Sequence, residues 1–308
     1  MSDSMRDIKR RIKSVSSTKQ ITHAMELVAG AKMQKARAQA DARRAYTDYL
    51  IDTMHLIAGA LKKEESSEFL RPGKGDKDLF IVITSDKGLA GSFNQNLLKF
   101  AASEMEKSAG GAAVIVAGAK GLDFFKRRNY EIIGAFSGES DKPSVELSHE
   151  VGNMASEAFL SGAYHDVFVI YNRFVSMISQ EPSIVHLLPL TKEELAEKKD
   201  EIDTRRRDEI HEVRENHFKD ANINFMLFEP SASYMASRLI PYYVDNAVYG
   251  ALLESAAGEL SSRRMAMENA TDNADEILAD LNLRYNRARQ GAITQEITEI
   301  ISGAEAAK

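Results

Sequence analysis

Along residues 6–61 apolar side chains return mostly at steps of three and four: Ile8, Ile12, Val15, Ile21, Met25, Val28, Met33, Ala36, Ala40, Leu50, Met54, Ile57 and Leu61. That step places them on one side of a helix, and neither Pro nor a turn cluster interrupts the run. One helix of about 80 Å is predicted. A second such pattern occupies residues 233–302, where Ala270, Ala274, Ile277, Leu281, Tyr285, Ala288 and Ala292 mark a stripe of alternating small and large residues. Such a stripe suits close packing against another helix. Pro241 either starts this second helix or kinks it, because it lacks a backbone N–H.

Between the two the period changes. "RPGKGDKD" at 71–78 breaks the helical pattern, and "DLFIVIT", "AAVIVAG", "YEIIGAF" and "DVFVIYN" follow as short β-branched runs. Helical stretches near 94–107, 120–128 and 143–160 separate them, which predicts βαβ units and a mainly parallel sheet. "FVSMIS" and "PSIVHLLPL" follow too closely for a crossover helix and predict an antiparallel edge hairpin. Thr191 to Asp220 is charge-dense with few large apolar residues, and is expected as a solvated helical excursion or a partly disordered segment. "NFMLFEPS" at 224–231 is expected to return as a strand or extended segment.

The fold class is therefore α/β: a long antiparallel coiled coil of the N- and C-terminal helices plus a central Rossmann-like α/β domain. The domain bounds are 1–65 for the first helix, 76–228 for the sheet domain with a charged insertion at 191–220, and 229–308 for the second helix. A domain of that size has a radius of gyration of about 14 Å, so helices of 80 Å or more must project from it. The C-terminal helix outruns the N-terminal one, leaving residues from about 287 to 302 without a partner in their own chain. An isolated helix of that length is marginal in water, so another protein is expected to hold it. Arg284, Arg287 and Arg289 form a basic collar below an apolar tip of Ala292, Ile293, Ile297, Ile300 and Ile301, with Gly303 as terminator.

Charge sharpens this picture. The chain carries a formal net charge of −6. Residues 5–44 nevertheless hold eleven Lys and Arg against three acids, a local excess of +8. A basic helix in an acidic protein points to nucleic acid, a membrane surface or an acidic protein partner, or is a solvated face. With no Cys, disulfides, thiolate metal sites and thiol nucleophiles are excluded. No window approaches the roughly 18 apolar residues of a membrane span, so the chain is expected to be soluble or peripheral.

Candidate chemistry is thin. "SDKGLAGSFNQ" at 85–95 lies between a strand and a helix, where phosphates often bind, but it carries neither G-x-x-x-x-G-K-[ST] nor G-x-G-x-x-G. The seven His are scattered and form no paired ligand set, and no Ser sits in a G-x-S-x-G elbow. No catalytic residue, cofactor or metal site is expected. An enzyme or nucleotide-binding module on the α/β domain, with the helices as an oligomerisation arm, is the rival reading, and a nucleic-acid-binding basic helix a third.

Two stretches carry more than periodicity. "MRDIKRRIKSVSSTKQITHAMELVAGAKMQKA" and "MAMENATDNADEILADLNLRYNRARQGAITQEITEIISGA" resemble the terminal helices of the gamma subunit of bacterial F-type ATP synthases, and "ITSDKGLAGSFNQN" resembles that family's first strand and loop. The resemblance covers most of the chain; the 191–220 tract is longer and more charged than usual. It implies a non-catalytic central rotor stalk that couples ion-driven rotation of a ring of c subunits to ATP synthesis or hydrolysis in a ring of alpha and beta subunits. Met25, Arg289, Gln290 and Thr294 are thereby placed at the level of the beta-subunit loops that grip the shaft. Phe228 and Glu229 fall near the c-ring loops. Further implied are an epsilon-subunit partner and a peripheral position on the cytoplasmic face of the cell membrane. Neither nucleic acid nor a direct small-molecule substrate is implied.

Overall fold

A computed structural model describes residues 5–61, 67–210 and 228–306. Helix α1 spans Met5–Ala60 and helix α6 spans Ala232–Ala306. Between them lie β1 (Lys77–Ile83), α2 (Phe93–Met105), β2 (Ala112–Ala117), α3 (Ala119–Arg127), β3 (Glu131–Phe136), α4 (Val145–Leu160), β4 (Tyr164–Phe174), β5 (Gln180–Leu188) and α5 (Lys192–Ile210). The chain divides into two compact units, one of Met1–Ala31 with Arg263–Lys308 and the other of Lys32–Ser262. The division falls inside both long helices rather than at their ends.

The larger unit is built on a five-stranded sheet of order β3-β2-β1-β4-β5. β1 pairs parallel with β2 and β4, β2 parallel with β3, and β5 antiparallel with β4 at the edge, as the close spacing of the last two runs requires. β1 is buried on both faces, which is why it reads as an unbroken apolar run. Its Leu79, Ile81 and Ile83 face a core shared with α1, α4, α5 and α6, whereas Phe80 and Val82 face one shared with α2 and α3. Within this unit Met33 and Ala36 of α1 cluster with Ala257 and Leu260 of α6, and Asn246 Nδ2 donates to Thr47 Oγ1 at 2.8 Å. Residue numbers rise on one helix as they fall on the other, so the pair is antiparallel.

The smaller unit is the rest of that helix pair. Lys19 Nζ donates to Asp275 Oδ1 at 2.6 Å, and the hydroxyls of Thr22 and Thr271 meet at 2.8 Å. These pairs also run antiparallel. Ile8, Thr22 and Ala29 are buried from one side, Met267, Thr271, Ala274 and Leu281 from the other.

Several expectations are corrected. Ile21 and Val28 of α1 and Ile277 of α6 are at least half exposed and lie off the seam. The seam runs instead through Thr22, Ala29 and Thr271, small or hydroxyl side chains that let two backbones approach. Pro241 sits ten residues into α6 and does not start it, and Gly303 lies within the helix and does not end it. The charged tract is no mere solvated excursion, because α5 buries Leu195 and Ile202 in the main core. Two of its lysines are also tied down: Lys192 Nζ donates to the Leu61 carbonyl at 3.0 Å and Lys199 Nζ to Asp52 at 3.2 Å. Residues 211–220 lie outside the described residues, as do 224–227 of the expected strand or extended segment; Phe228 is in no regular element and Glu229 and Pro230 form a bend.

Candidate partner-binding surfaces

The end of α6 is the barest surface of the smaller unit. The residue pairs across its seam sum to about 294, so Met5, the first described residue of α1, lies opposite Arg289. Beyond it α6 has no counterpart among the described residues, and every residue from Ile293 to Ala304 is exposed. Ile293, Ile297, Ile300 and Ile301 are 48%, 52%, 71% and 56% exposed and, at steps of four and three, share one face. Arg289 and Gln290 are exposed at its base. Thr294 is also exposed, its hydroxyl donating back to the Gln290 carbonyl at 2.9 Å. Of the basic collar, Arg284 is engaged by Asp280 at 2.8 Å.

Met25 does not join this group. By the same register it lies opposite residue 269, twenty residues from Arg289, or about 30 Å along the helix. The four residues assigned to one level therefore occupy two: Arg289, Gln290 and Thr294 near the tip, and Met25 more than three-quarters of the way down the unit. Around Met25 the structure adds Ile21, Leu27 and Val28, exposed by 58%, 60% and 56%. Their off-seam position was the available signal, hidden because they continue a three-four step by eye.

Phe228 and Glu229 separate in another way. Phe228 is half-buried and packs against the main core of the larger unit, while Glu229 beside it is exposed. Only the carboxylate is presented outward.

The carboxyl ends of the parallel strands, where nucleotide folds bind phosphate, are occupied from within. Gly118 ends β2 at φ +110, and a Cβ there would stand 2.2 Å from the Thr84 carbonyl, so only glycine lets the β2–α3 turn close onto β1. That closure brings the N-terminus of α3 to the loop after β1. The Asp86 carboxylate then accepts from the backbone N–H groups of Ala119 (2.9 Å), Gly138 (2.9 Å) and Ser140 (3.0 Å). A side-chain anion thus takes the donors and helix dipole that would otherwise attract phosphate.

One group of potential metal ligands occurs among the described residues, Asp78, His165 and Asp166, with ligand atoms within 4.8 Å of one another. Asp166 already accepts from His165 Nδ1 at 2.9 Å and pairs with His186 Nε2 at 3.2 Å. The hydrogen bond to Asp166 raises the His165 imidazole above its ordinary range. The Asp166 carboxylate is thus already shared between two histidines at the start of β4.

The larger unit thus has a nucleotide-like sheet whose phosphate position is filled by its own carboxylate, and the smaller unit is an antiparallel helix pair with a bare end. The ATP synthase family model matches residues 4–307. The ATP synthase gamma chain, sodium ion specific, of Acetobacterium woodii is 41% identical over 99% of both chains. The ATP synthase gamma chain of Alkaliphilus metalliredigens is 40% identical with the same coverage. Among solved structures, a chain of the Euglena gracilis mitochondrial ATP synthase OSCP/F1/c-ring assembly superposes with a TM-score of 0.67 at 18% identity, covering 98% of this chain and 94% of that one. A chain of the Tetrahymena thermophila central stalk/c-ring structure gives 0.58 at 24% identity, over 81% and 99%. These two share the fold.

The chain belongs to the ATP synthase gamma chain family, the non-catalytic central-stalk subunits of F-type ATP synthase. It is accordingly part of a membrane-associated complex, and among the described residues no helix is long and apolar enough to cross a membrane.

Proposed function

We propose that the chain turns as the rotor shaft between an ion-driven c-ring and a catalytic ring of alpha and beta subunits, at the cytoplasmic face of the membrane, with an epsilon subunit beside the sheet domain. The observation that carries this reading is the end of α6, a row of four exposed isoleucines above Arg289, Gln290 and Thr294 with no covering helix among the described residues. Such a surface loses apolar area to water unless a surrounding protein encloses it. Smooth aliphatic contacts suit turning, and a few polar groups at the base give each position of the turn its own contacts. Different contacts with chemically identical catalytic subunits bias each toward a different nucleotide affinity, which is how a shaft passes free energy without an active site of its own. Met25 with Ile21, Leu27 and Val28 supplies a second, lower contact with the beta-subunit loops. Glu229 faces the c-ring loops, and Phe228 anchors it to the core.

Because the chain has no native Cys, single introduced thiols report position cleanly. A photoreactive maleimide on Thr294→Cys is expected to cross-link to alpha or beta subunits, and one on Glu229→Cys to c subunits. Cross-linking of position 294 to the c-ring, or of neither position to any subunit of a purified complex, would reject the assignment.

A further inference from the structure

Within the larger unit, α1, the β4–β5 face of the sheet, α5 and α6 line a cavity of about 450 Å³ that opens to solvent past Arg37, Asp41 and Arg44. Ligand pockets usually measure roughly 300 to 1,000 Å³. Among the described residues its wall holds three buried polar atoms without a hydrogen-bond partner: Arg43 Nε, Asn246 Oδ1 and Glu254 Oε2. Leaving such atoms unpaired costs free energy, and native interiors rarely do so without water or a ligand to supply the missing bonds.

Asn246 is only 2% exposed. Its amide nitrogen is spent on Thr47 at 2.8 Å, which fixes the orientation and leaves the oxygen for the cavity. Arg43 is held by stacking over the Tyr249 ring, 4.1 Å from its centroid, so Nε is likewise fixed. Burial pushes the Glu254 carboxyl and the Tyr171 phenol up from their ordinary values, marking a poorly solvated chamber. Asn246, Gly250 and Glu254 follow one another at steps of four on α6, so they share one face over about 12 Å. At Gly250, midway, an added Cβ would meet nothing within 4 Å, so the helix leaves this stretch of wall bare.

The unpaired atoms specify an occupant. Two of them accept and need N–H donors, and one donates and needs a carbonyl. The charged residues of the wall balance, with Arg37, Arg43, Arg44 and Lys198 against Asp41, Asp48, Glu201 and Glu254, so no net field selects an ion. Tyr171 and Tyr243 add aromatic surface. We propose that this cavity is a binding site for a small uncharged aromatic amide or urea, whose carbonyl accepts from Arg43 Nε and whose N–H groups donate to Asn246 Oδ1 and Glu254 Oε2. The site lies within the subunit, independent of the contact surfaces on the shaft, and a ligand there bridges the sheet to the helix pair.

The test titrates the purified full chain with nicotinamide and with phenylurea by ligand-observed NMR, with benzoate and benzamidine as charged controls. Both neutral probes are expected to bind saturably and both charged ones at least tenfold more weakly. Gly250→Leu fills the bare wall and is expected to weaken the neutral probes at least tenfold while keeping a cooperative melt. Should that variant not fold, Gly250→Ala, a change that favours helix, is expected to weaken them about threefold. Absence of saturable binding by either neutral probe, equal binding of the charged controls, or unchanged affinity in a folded Gly250→Leu chain would overturn the proposal.

Discussion

The Oγ1 atoms of Thr22 and Thr271 lie 2.8 Å apart inside the antiparallel helix pair, each also within reach of a carbonyl of its own helix, Lys19 at 3.0 Å and Met267 at 2.9 Å. Each hydroxyl has one proton, so two of these three contacts are made at a time, and the contact across the pair fixes which turns of α1 and α6 face each other. A polar pair buried at one seam position specifies register in the way a lone polar residue does in other coiled coils.

Thr22→Val and Thr271→Val should each destabilise the chain by about 1 kcal/mol, since each removes the hydroxyl contact across the pair. The double variant should lose less than the sum, because both partners are then apolar. Urea denaturation of the four proteins measures the coupling; strict additivity would mean that the hydroxyls do not interact.

Leu195 is 1% exposed and sits in the main core although its neighbours are almost all charged. Leu195→Ala should cost about 2 to 5 kcal/mol, as truncation of a buried leucine does. A loss below about 0.5 kcal/mol in denaturant unfolding would return α5 to the solvent. The position also shows where sequence reading fails. Period and β-branched runs reveal β1 to β4 because Leu79 to Ile83 are apolar on both faces, whereas α5 buries two apolar residues among charges and averages to a polar tract. The seam was legible where Met33 and Leu281 mark it and illegible at Thr22 and Thr271, where small hydroxyl residues do the packing and Ile21 and Val28 point away. The bare end of α6 was readable from helix lengths alone. The separation of Met25 from Arg289 was not, because it requires the register, and the filling of the phosphate position by Asp86 depends on loops that no motif describes.

Lys32 Nζ donates to Asp141 Oδ2 at 2.7 Å and holds that carboxyl below the usual carboxylate range. A depressed folded-state value contributes stability that is present above the unfolded value, about pH 4, and is lost as pH falls through the folded one. Lys32→Met should therefore lower stability at neutral pH by less than about 1 kcal/mol, the lysine being half exposed, and flatten the fall in stability below about pH 4. Chemical denaturation between neutral pH and pH 2 tests this, and an acid limb identical in both proteins would exclude the pair as its source.

Arg289→Ala with Gln290→Ala changes exposed side chains. The melting temperature of the free chain should stay within about 2 °C, since exposed substitutions usually cost under about 0.5 kcal/mol. In the assembled complex the same change is expected to weaken the proposed contacts with the catalytic ring, and ATP hydrolysis should change by roughly threefold to tenfold, about 0.7 to 1.4 kcal/mol. A destabilised free chain with unaltered hydrolysis would make both residues ordinary helix positions.

The central claim is that the chain turns. In a complex of this chain with alpha and beta subunits fixed to a surface, a fluorescent bead on a single thiol at Lys107→Cys, exposed on the sheet domain, reads its angle directly. The account predicts unidirectional rotation of the bead on addition of ATP, stopping when ATP is withdrawn. Continued ATP hydrolysis under a stationary bead would contradict it.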